Sequence, residues 1–158
     1  MMVGGRTDTR LGPRYGPMIG LVVVTHGGAA DCLLDAVAGI LGPLPAASPV
    51  SISMEETFDQ TLERIGRACD QVDGGAGVVL LVDLQGSSPY QACMAMLDGS
   101  RPAEVVCGVN LPMLLKVATI DRCEPRPGEL AQTLRDVGKR SIRLGSELTG
   151  RVPFEEIE

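Results

Sequence analysis

Two continuous apolar runs constrain the fold of this chain more than any other feature. Residues 19–24 (Ile-Gly-Leu-Val-Val-Val) lead into Thr25 and His26, and residues 78–82 (Val-Val-Leu-Leu-Val) lead into Asp83. Short apolar runs that are rich in β-branched residues and bounded by turn formers are typical of strands buried on both faces of a sheet. Such strands occur in parallel sheets, where crossover connections place helices between successive strands.

The rest of the chain supplies the helices and two further strands. Helical periodicity covers residues 31–41, 55–72, 89–97 and 129–148, an apolar segment covers 113–120, and strands are predicted at 49–53 and 104–109. Ser88 is expected as the N-cap of the third helix, and Pro89 suits the first helical position. This order predicts an α/β fold, with a doubly wound, mostly parallel sheet of four strands in the order 2-1-3-4 and helices on both faces.

His26 and Asp83 are expected to meet at the switch point of this sheet. In the order 2-1-3-4 the first and third strands are neighbours and their helices leave to opposite faces, which is where open α/β sheets bind ligands. His26 is the only histidine of the chain. A carboxylate that accepts a hydrogen bond from Nδ1 would orient the ring and leave Nε2 as a nucleophile. The pair therefore predicts a catalytic His26 that is oriented by Asp83.

Several small polar residues flank the predicted pair. Thr25 ends the first strand, and Gly86, Ser87 and Ser88 form the turn after the third. Hydroxyls and backbone N–H groups at a helix N-terminus bind phosphate oxygens, so these four residues are candidates for phosphate binding. Turn formation and helix capping are the alternative roles of both serines, and Thr25 is alternatively a simple strand-end residue. Asn110, after the fourth strand, either lines the same crevice or only forms a turn.

Composition excludes several classes of protein. The net charge of −6 and the absence of a Lys/Arg cluster do not fit a nucleic-acid surface. No apolar run approaches the ~20 residues of a membrane span, and the N-terminus lacks an apolar signal-peptide core. The five cysteines form no Cys-x-x-Cys pair, and with a single histidine a metal site is not expected. The chain is therefore expected to be cytoplasmic, with reduced thiols and with no metal or cofactor.

The length of 158 residues is that of one domain. Residues 1–17 are rich in Gly, Arg and Pro and lack periodicity, which predicts a disordered N-terminal extension. Residues 18–150 are expected to form the domain, and residues 151–158 an acidic tail.

Three motifs together resemble a known family. They are Thr-His-Gly-Gly at residues 25–28, Leu-Val-Asp-Leu-Gln-Gly-Ser-Ser-Pro at 81–89 and Gly-Val-Asn-Leu-Pro-Met-Leu at 108–114. In this order and spacing they resemble the mannose-type enzyme IIA of the bacterial sugar phosphotransferase system, over roughly residues 18–144. The phosphotransfer subunit of dihydroxyacetone kinase, a related branch, fits the later motifs less well.

The resemblance implies a histidine phosphocarrier. His26 would accept a phosphoryl group from the histidine phosphocarrier protein and pass it to a IIB component, in sugar uptake or in its regulation. Asp83 would orient His26, and the turn at residues 86–88 would bind the phosphoryl oxygens. The resemblance also implies a homodimer with an exchanged extra edge strand, and contact with the membrane only through IIC and IID partners. Where the family usually has an aromatic residue and a second glycine in this turn, this chain has Gln85 and Ser87, which bears on turn shape and partner recognition.

The segment before the last helix supports a homodimer on physical grounds. A sheet of four parallel strands has two edges that need covering. Residues 121–128 contain Pro125 and Pro127, so this segment is expected to be stiff, extended and poorly suited to packing on its own domain. Residues 119–128 are therefore predicted to contribute to the contact with a second subunit.

Two other classes of function use the same residues. Ser87 or Ser88 with His26 and Asp83 has the composition of a small serine hydrolase triad, although the turn is not a Gly-x-Ser-x-Gly elbow. A non-catalytic small-molecule binding module would instead use His26 only as a hydrogen-bond donor.

Overall fold

Strands and helices alternate along the chain in the predicted order. The structure, a computed structural model, describes residues 17–151. In chain order the elements are β1 (Gly20–His26), α1 (Ala29–Leu41), β2 (Ala47–Ile52), α2 (Phe58–Val72), β3 (Val78–Val82), α3 (Ser88–Met94), β4 (Ala103–Cys107), α4 (Leu111–Val117), α5 (Pro127–Arg140) and α6 (Gly145–Thr149). The four strands form one parallel sheet in the order β2-β1-β3-β4, which confirms the predicted fold class.

β1 lies in the centre of the sheet, between β2 and β3. His26 is paired with Ile52 of β2, and Val24 is paired with Val82 of β3. The carboxyl ends of the three strands therefore lie at one edge of the sheet, where the loops that follow them are neighbours.

Each face of the sheet is covered by its own set of helices. Leu21 and Val23 of β1 pack in one apolar cluster with residues of α1, α4 and α5. Val22 and Val24 pack in a second cluster with residues of α2 and α3. Because side chains alternate along a strand, His26 continues the series of Val22 and Val24, and its ring lies on the α2–α3 face. α1 and α3 thus leave the sheet on opposite faces, as a switch point between β1 and β3 requires.

The predicted helix over residues 129–148 is wrong in its second half. α5 spans Pro127–Arg140 and the short α6 spans Gly145–Thr149. Leu144, an apolar residue on which the prediction is based, is 64% exposed, and Leu148, the predicted end of the helix, is 62% exposed. A helix in water depends largely on packing of its apolar face, and α6 buries none of its residues. The continuous helix therefore ends at Arg140, beyond which the apolar side chains no longer pack on the domain.

The start of α2 also differs from the prediction. The helix begins at Phe58 rather than at residue 55, because Thr57 is the N-cap and forms a capping box with Gln60. Glu55 and Glu56 therefore belong to the loop between β2 and α2.

Arg122, in the loop after α4, binds the edge of the sheet opposite to His26. The residue is only 5% exposed, and its guanidinium donates hydrogen bonds to the carbonyl oxygens of Ile19 (2.9 Å) and Pro45. The Ile19 N–H donates in return to the Arg122 carbonyl oxygen (2.9 Å), while burial lowers the pKa of the Arg122 side chain. The expectation that residues 121–128 pack poorly on their own domain is therefore wrong at its start, because a buried arginine fixes the loop there.

The two terminal predictions lie outside the described residues. The proposed extension, residues 1–17, and the acidic tail, residues 151–158, are described only at residues 17 and 151. Between those two positions, none of the helices has the length and apolarity that crossing a bilayer requires.

Replacement of Arg122 by Met should destabilise the protein. The buried carbonyl oxygen of Ile19 and the partly buried one of Pro45 would lose a charged donor, and a hydrogen bond to a charged group contributes about 1.5–3 kcal/mol. We expect the free energy of unfolding, measured by urea denaturation, to fall by about 2–4 kcal/mol. Arg143→Met, at an exposed position, is the control and should change it by less than about 0.5 kcal/mol. An Arg122→Met protein as stable as the wild type would contradict this role.

Candidate functional site

His26 ends β1 at a tight turn that is held on both sides. Gly27 has a φ of +55°, which side-chain-bearing residues rarely adopt. The Gly27 N–H donates to the carbonyl oxygen of Ile52 (2.8 Å), so β2 fixes the turn from one side. The chain then enters α1 at Ala29. The backbone position of His26 is therefore set by both elements.

Asp83 binds both the backbone and the ring of His26. Its Oδ2 accepts a hydrogen bond from the main-chain N–H of His26 at 2.9 Å. Nδ1 of the ring lies 3.0 Å from Oδ2 and 3.1 Å from Oδ1. Because a carboxylate can only accept, Nδ1 is the donor, and the neutral ring is the Nδ1–H tautomer. The structure thus brings the two residues of the predicted pair into direct contact.

The same arrangement directs Nε2 of His26 away from Asp83. The His26 side chain is 38% exposed and that of Asp83 is 28% exposed. Within the described part of the chain, the hydrogen bonds of the ring are those made by Nδ1. The Nε2 lone pair of the neutral ring can therefore act as a nucleophile toward a group that approaches from solvent.

Thr25 lies on the face of the sheet opposite to the His26 ring. It is fully buried, and its Oγ1 accepts a hydrogen bond from the Ala30 N–H at 2.7 Å. This bond satisfies one of the N–H groups that the first turn of α1 leaves without a helical partner. The hydroxyl is thus bonded to α1 and shielded from solvent. The prediction that Thr25 binds phosphate is not supported by this position.

Gly86 and Ser87 shape the turn after β3. Gly86 has a φ of +80°, which again favours glycine. The Ser87 hydroxyl donates to the carbonyl oxygen of Leu84 (2.7 Å) and accepts from the Tyr90 N–H (3.2 Å). Ser87 is therefore the N-cap of α3, in place of Ser88, and its extended backbone is the usual conformation of an N-cap.

Ser88 is the exposed hydroxyl group of this turn. It is the first residue of α3, and among residues 17–151 no hydrogen bond of its hydroxyl is found. Neither Ser87 nor Ser88 is hydrogen-bonded to His26. The hydrolase alternative therefore lacks the contact between serine and histidine on which a triad depends.

Asn110 has a structural role. Its Oδ1 accepts a hydrogen bond from the Met113 N–H (3.2 Å) and makes Asn110 the N-cap of α4. Its Nδ2 donates to the carbonyl oxygen of Gly138 in α5 (3.4 Å). Of the two roles considered for this residue, turn formation is the one that the structure shows.

The loop between β2 and α2 is the part of this edge that sequence reasoning missed. Glu56 Oε1 accepts hydrogen bonds from the Ser53 N–H (3.0 Å) and from Arg64. These bonds, which lower the pKa of Glu56, fix the loop that follows Ile52, the residue of β2 paired with His26. The helical pattern of apolar residues extends the predicted helix back to residue 55 and so assigns the loop to α2. The Thr57-x-x-Gln60 capping box is the sequence signal that reveals it.

The buried thiols are packing residues. Cys69 and Cys93 lie in the cluster between the sheet and the α2–α3 pair. Burial raises the pKa of Cys69 to about 11 and that of Cys93 to about 12, so both stay protonated and weakly nucleophilic at neutral pH. In residues 17–151 no group of three or more His, Cys, Asp or Glu side chains could hold a metal ion.

Comparison with protein families matches residues 20–134 to the family model for the "PTS system fructose IIA component", where PTS is the phosphotransferase system. Among curated proteins, the chain is 28% identical over 125 residues to the mannose-specific EIIAB component of Escherichia coli strain K12, covering 79% of this chain and 39% of that protein. It is 30% identical over 98 residues to the sorbose-specific EIIA component of Lacticaseibacillus casei, covering 62% and 70%. The chain thus spans about 39% of the length of the mannose-specific relative.

Solved structures show the same likeness. The mannose/sorbose-specific IIA subunit from Enterococcus faecalis superposes with a TM-score of 0.70 at 26% identity, covering 86% of this chain and 97% of that one. An EIIA component from Streptococcus agalactiae superposes with a TM-score of 0.75 at 19% identity, covering 82% and 99%. At that lower identity the second likeness shows the fold alone.

Replacement of Asp83 by Asn should change the tautomer of His26. An amide carries a donor NH₂ in place of one carboxylate oxygen and has no negative charge, so it holds the Nδ1 proton less strongly and can instead donate to an unprotonated Nδ1. We expect the Nδ1–H tautomer to lose population, which the nitrogen chemical shifts of the single histidine report directly. Asp35→Asn, at an exposed position on α1, should leave these shifts unchanged. Unchanged shifts in Asp83→Asn would mean that the carboxylate does not select the tautomer.

Proposed function

The chain belongs to the mannose-type enzyme IIA components of the phosphotransferase system, and from this premise we propose that it is a histidine phosphocarrier. It accepts a phosphoryl group on His26 from the phosphorylated histidine phosphocarrier protein and passes it to a IIB component. The output is sugar uptake or its regulation. The protein acts in the cytoplasm and is connected to the membrane only through IIC and IID partners.

One observation carries this proposal. Asp83 accepts hydrogen bonds from both the main-chain N–H and Nδ1 of His26, so the ring is held while Nε2 points away from the carboxylate. Phosphoryl transfer depends mainly on positioning and on charge stabilisation, and it requires little other machinery. A ring held in this way supports a nucleophile that receives a phosphoryl group and releases it again.

The proposed transfer forms one bond and breaks one. The Nε2 lone pair of His26 attacks the phosphorus of the donor phosphohistidine in line. The bond from phosphorus to the donor nitrogen breaks, and its electron pair remains on the donor imidazole. The Nδ1 proton stays in its hydrogen bond to Asp83, whose negative charge balances the positive charge that the ring acquires. The step includes no metal and no cofactor.

The turn after β3 supports binding of the phosphoryl oxygens. The Ser88 hydroxyl is exposed and lies at the start of α3, where backbone N–H groups also favour an anion. Gly86 and Ser87 contribute their backbone N–H groups. The Ser87 hydroxyl is already used within the turn, by Leu84 and Tyr90. Ser88 is therefore the side chain to which we assign contact with the phosphoryl group.

A homodimer is part of the proposal. Ile142, Leu144 and Leu148 are 80%, 64% and 62% exposed, and β4 has no neighbour on its outer side among the strands of residues 17–151. A second subunit that covers this region would remove both exposures. We place the contact after α5 rather than in residues 119–128, because Arg122 binds that segment to its own domain.

Replacement of His26 by Ala should abolish phosphorylation. Incubation of the wild type with phosphoenolpyruvate, enzyme I and the phosphocarrier protein should add one phosphoryl group, measured by intact mass. The adduct should be labile in acid and stable in alkali, because it is a phosphoramidate. His26→Ala should show no adduct while it remains folded by circular dichroism. Labelling that persists in the folded variant would refute the assignment of His26.

Replacement of Ser88 by Ala should slow the transfer with little loss of stability. Removal of one donor from a charged transition state costs about 10²–10³-fold in a buried oxyanion site, and at this exposed position we expect about tenfold, measured by rapid quench. Ser87→Ala is the matched control, because it removes an N-cap and should lower the free energy of unfolding by about 1 kcal/mol. If Ser87→Ala slowed transfer more than Ser88→Ala did, the assignment would be reversed.

Light scattering at micromolar concentration should give a mass near twice the 16.6 kDa of one chain. The double variant Ile142→Glu/Leu144→Glu should be monomeric, because each carboxylate would be buried without a partner in the contact. Ile40→Glu replaces an apolar residue that is 58% exposed at the end of α1 and should stay dimeric. A wild-type mass near that of a single chain would refute the dimer.

A further inference from the structure

We propose that Met54 and Leu84 form a docking rim, two apolar side chains through which a partner protein binds over His26. The inference rests on the proposed function and extends it, because it assigns the surface that selects a protein as the phosphoryl donor. Met54 is 89% exposed and Leu84 is 59% exposed. Exposed apolar side chains are common singly, so the case depends on where these two lie.

The two side chains belong to the loops on either side of the reactive histidine. His26 is paired with Ile52, the last residue of β2, and Met54 follows in the next loop. On the other side, Leu84 directly follows Asp83, which binds the His26 ring. β2 and β3 are the two neighbours of β1. The loop that follows each of these strands therefore carries one apolar residue at the edge where the His26 ring is exposed.

Both loops are held by hydrogen bonds that leave the apolar side chain in solvent. In the first loop, the Ser53 N–H donates to Glu56 Oε1 (3.0 Å) and the Glu56 N–H donates to the Ser53 carbonyl oxygen (3.3 Å). In the second loop, the Leu84 carbonyl oxygen accepts from the Ser87 hydroxyl (2.7 Å). Ordering of a loop on binding costs conformational entropy, and a preformed loop avoids most of that cost. Both side chains are therefore carried by preformed loops.

Charge defines the partner further. Glu55 and Asp59 are exposed beside Met54, and neither is paired with a cation of the described chain, whereas Glu56 is neutralised by Arg64. The partner that fits is a protein with a phosphohistidine among apolar side chains and with Lys or Arg facing the β2–α2 loop. A small phosphoryl donor would gain nothing from exposed apolar side chains in the loops that follow β2 and β3.

Steady-state transfer from the phosphorylated carrier protein tests the docking rim. Burial of a Met or Leu side chain contributes enough free energy for about a tenfold change in affinity. We expect Met54→Ser and Leu84→Ser each to raise KM for the carrier about tenfold and to leave kcat within about twofold. Ile40→Ser, at an apolar position that is 58% exposed at the far end of α1, is the matched control and should leave both constants unchanged.

Phosphorylation by potassium phosphoramidate separates docking from chemistry, because this small donor requires no protein contact. All three variants should be labelled at the wild-type rate. An unchanged KM in both rim variants, or a rim variant that also loses labelling by phosphoramidate, would overturn the docking rim. Neither result would affect the proposed phosphocarrier function. That function would instead fail if the wild type accepted no phosphoryl group from the carrier while phosphoramidate still labelled His26.

Discussion

The pairing of β1 with β3 is the contact on which the rest of the structure depends. It joins two strands that are almost wholly buried, in a register that places Val24 beside Val82. The pairing continues past the strand, because the Asp83 N–H donates to the Val24 carbonyl oxygen (3.2 Å). His26 lies two residues after Val24. The pairing thereby brings it to the carboxylate of Asp83, which is 57 residues away in sequence. Without this register the histidine would be an ordinary exposed side chain.

The carboxyl and amino ends of the strands differ in how exposed their polar groups are. At the carboxyl edge, short loops present His26 and the residues around it to solvent. At the amino edge, Arg122 is buried and bonded to backbone carbonyl oxygens, including that of Pro45. Beside Pro45, Ala46 has a φ of +47°, a left-handed conformation that costs about 1–2 kcal/mol for a residue with a side chain. Arg122 donates hydrogen bonds to the carbonyl oxygens on either side of this point, those of Ile19 and Pro45, and so holds the strained segment against β1.

The likeness to IIA components of the phosphotransferase system is consistent with this division. The proposed phosphocarrier role requires an accessible reactive atom on a rigid scaffold. The partly exposed ring of His26 leaves Nε2 accessible, and the hydrogen bonds to Asp83 hold the ring in place. Ser87 stands at a position of the turn where the family usually has glycine. Its hydroxyl closes the turn by donating a hydrogen bond to the Leu84 carbonyl oxygen.

The sequence by itself determined the fold class, the strand order and the contact between His26 and Asp83. Apolar periodicity and turn-forming residues are local signals, and the topological rules for parallel sheets leave few arrangements of four strands. The end of the last helix was not determined in this way, because Leu144 and Leu148 satisfy the period but have nothing to pack against.

Only the tertiary structure decided which polar side chains are available for chemistry. Thr25, Ser87 and Ser88 all carry a hydroxyl near the same edge, and the sequence offers no way to rank them. Thr25 is buried under α1, Ser87 is bonded within its own turn, and Ser88 is exposed. The difference arises from which backbone groups each hydroxyl meets after the chain has folded, and a residue's type and spacing do not contain that information.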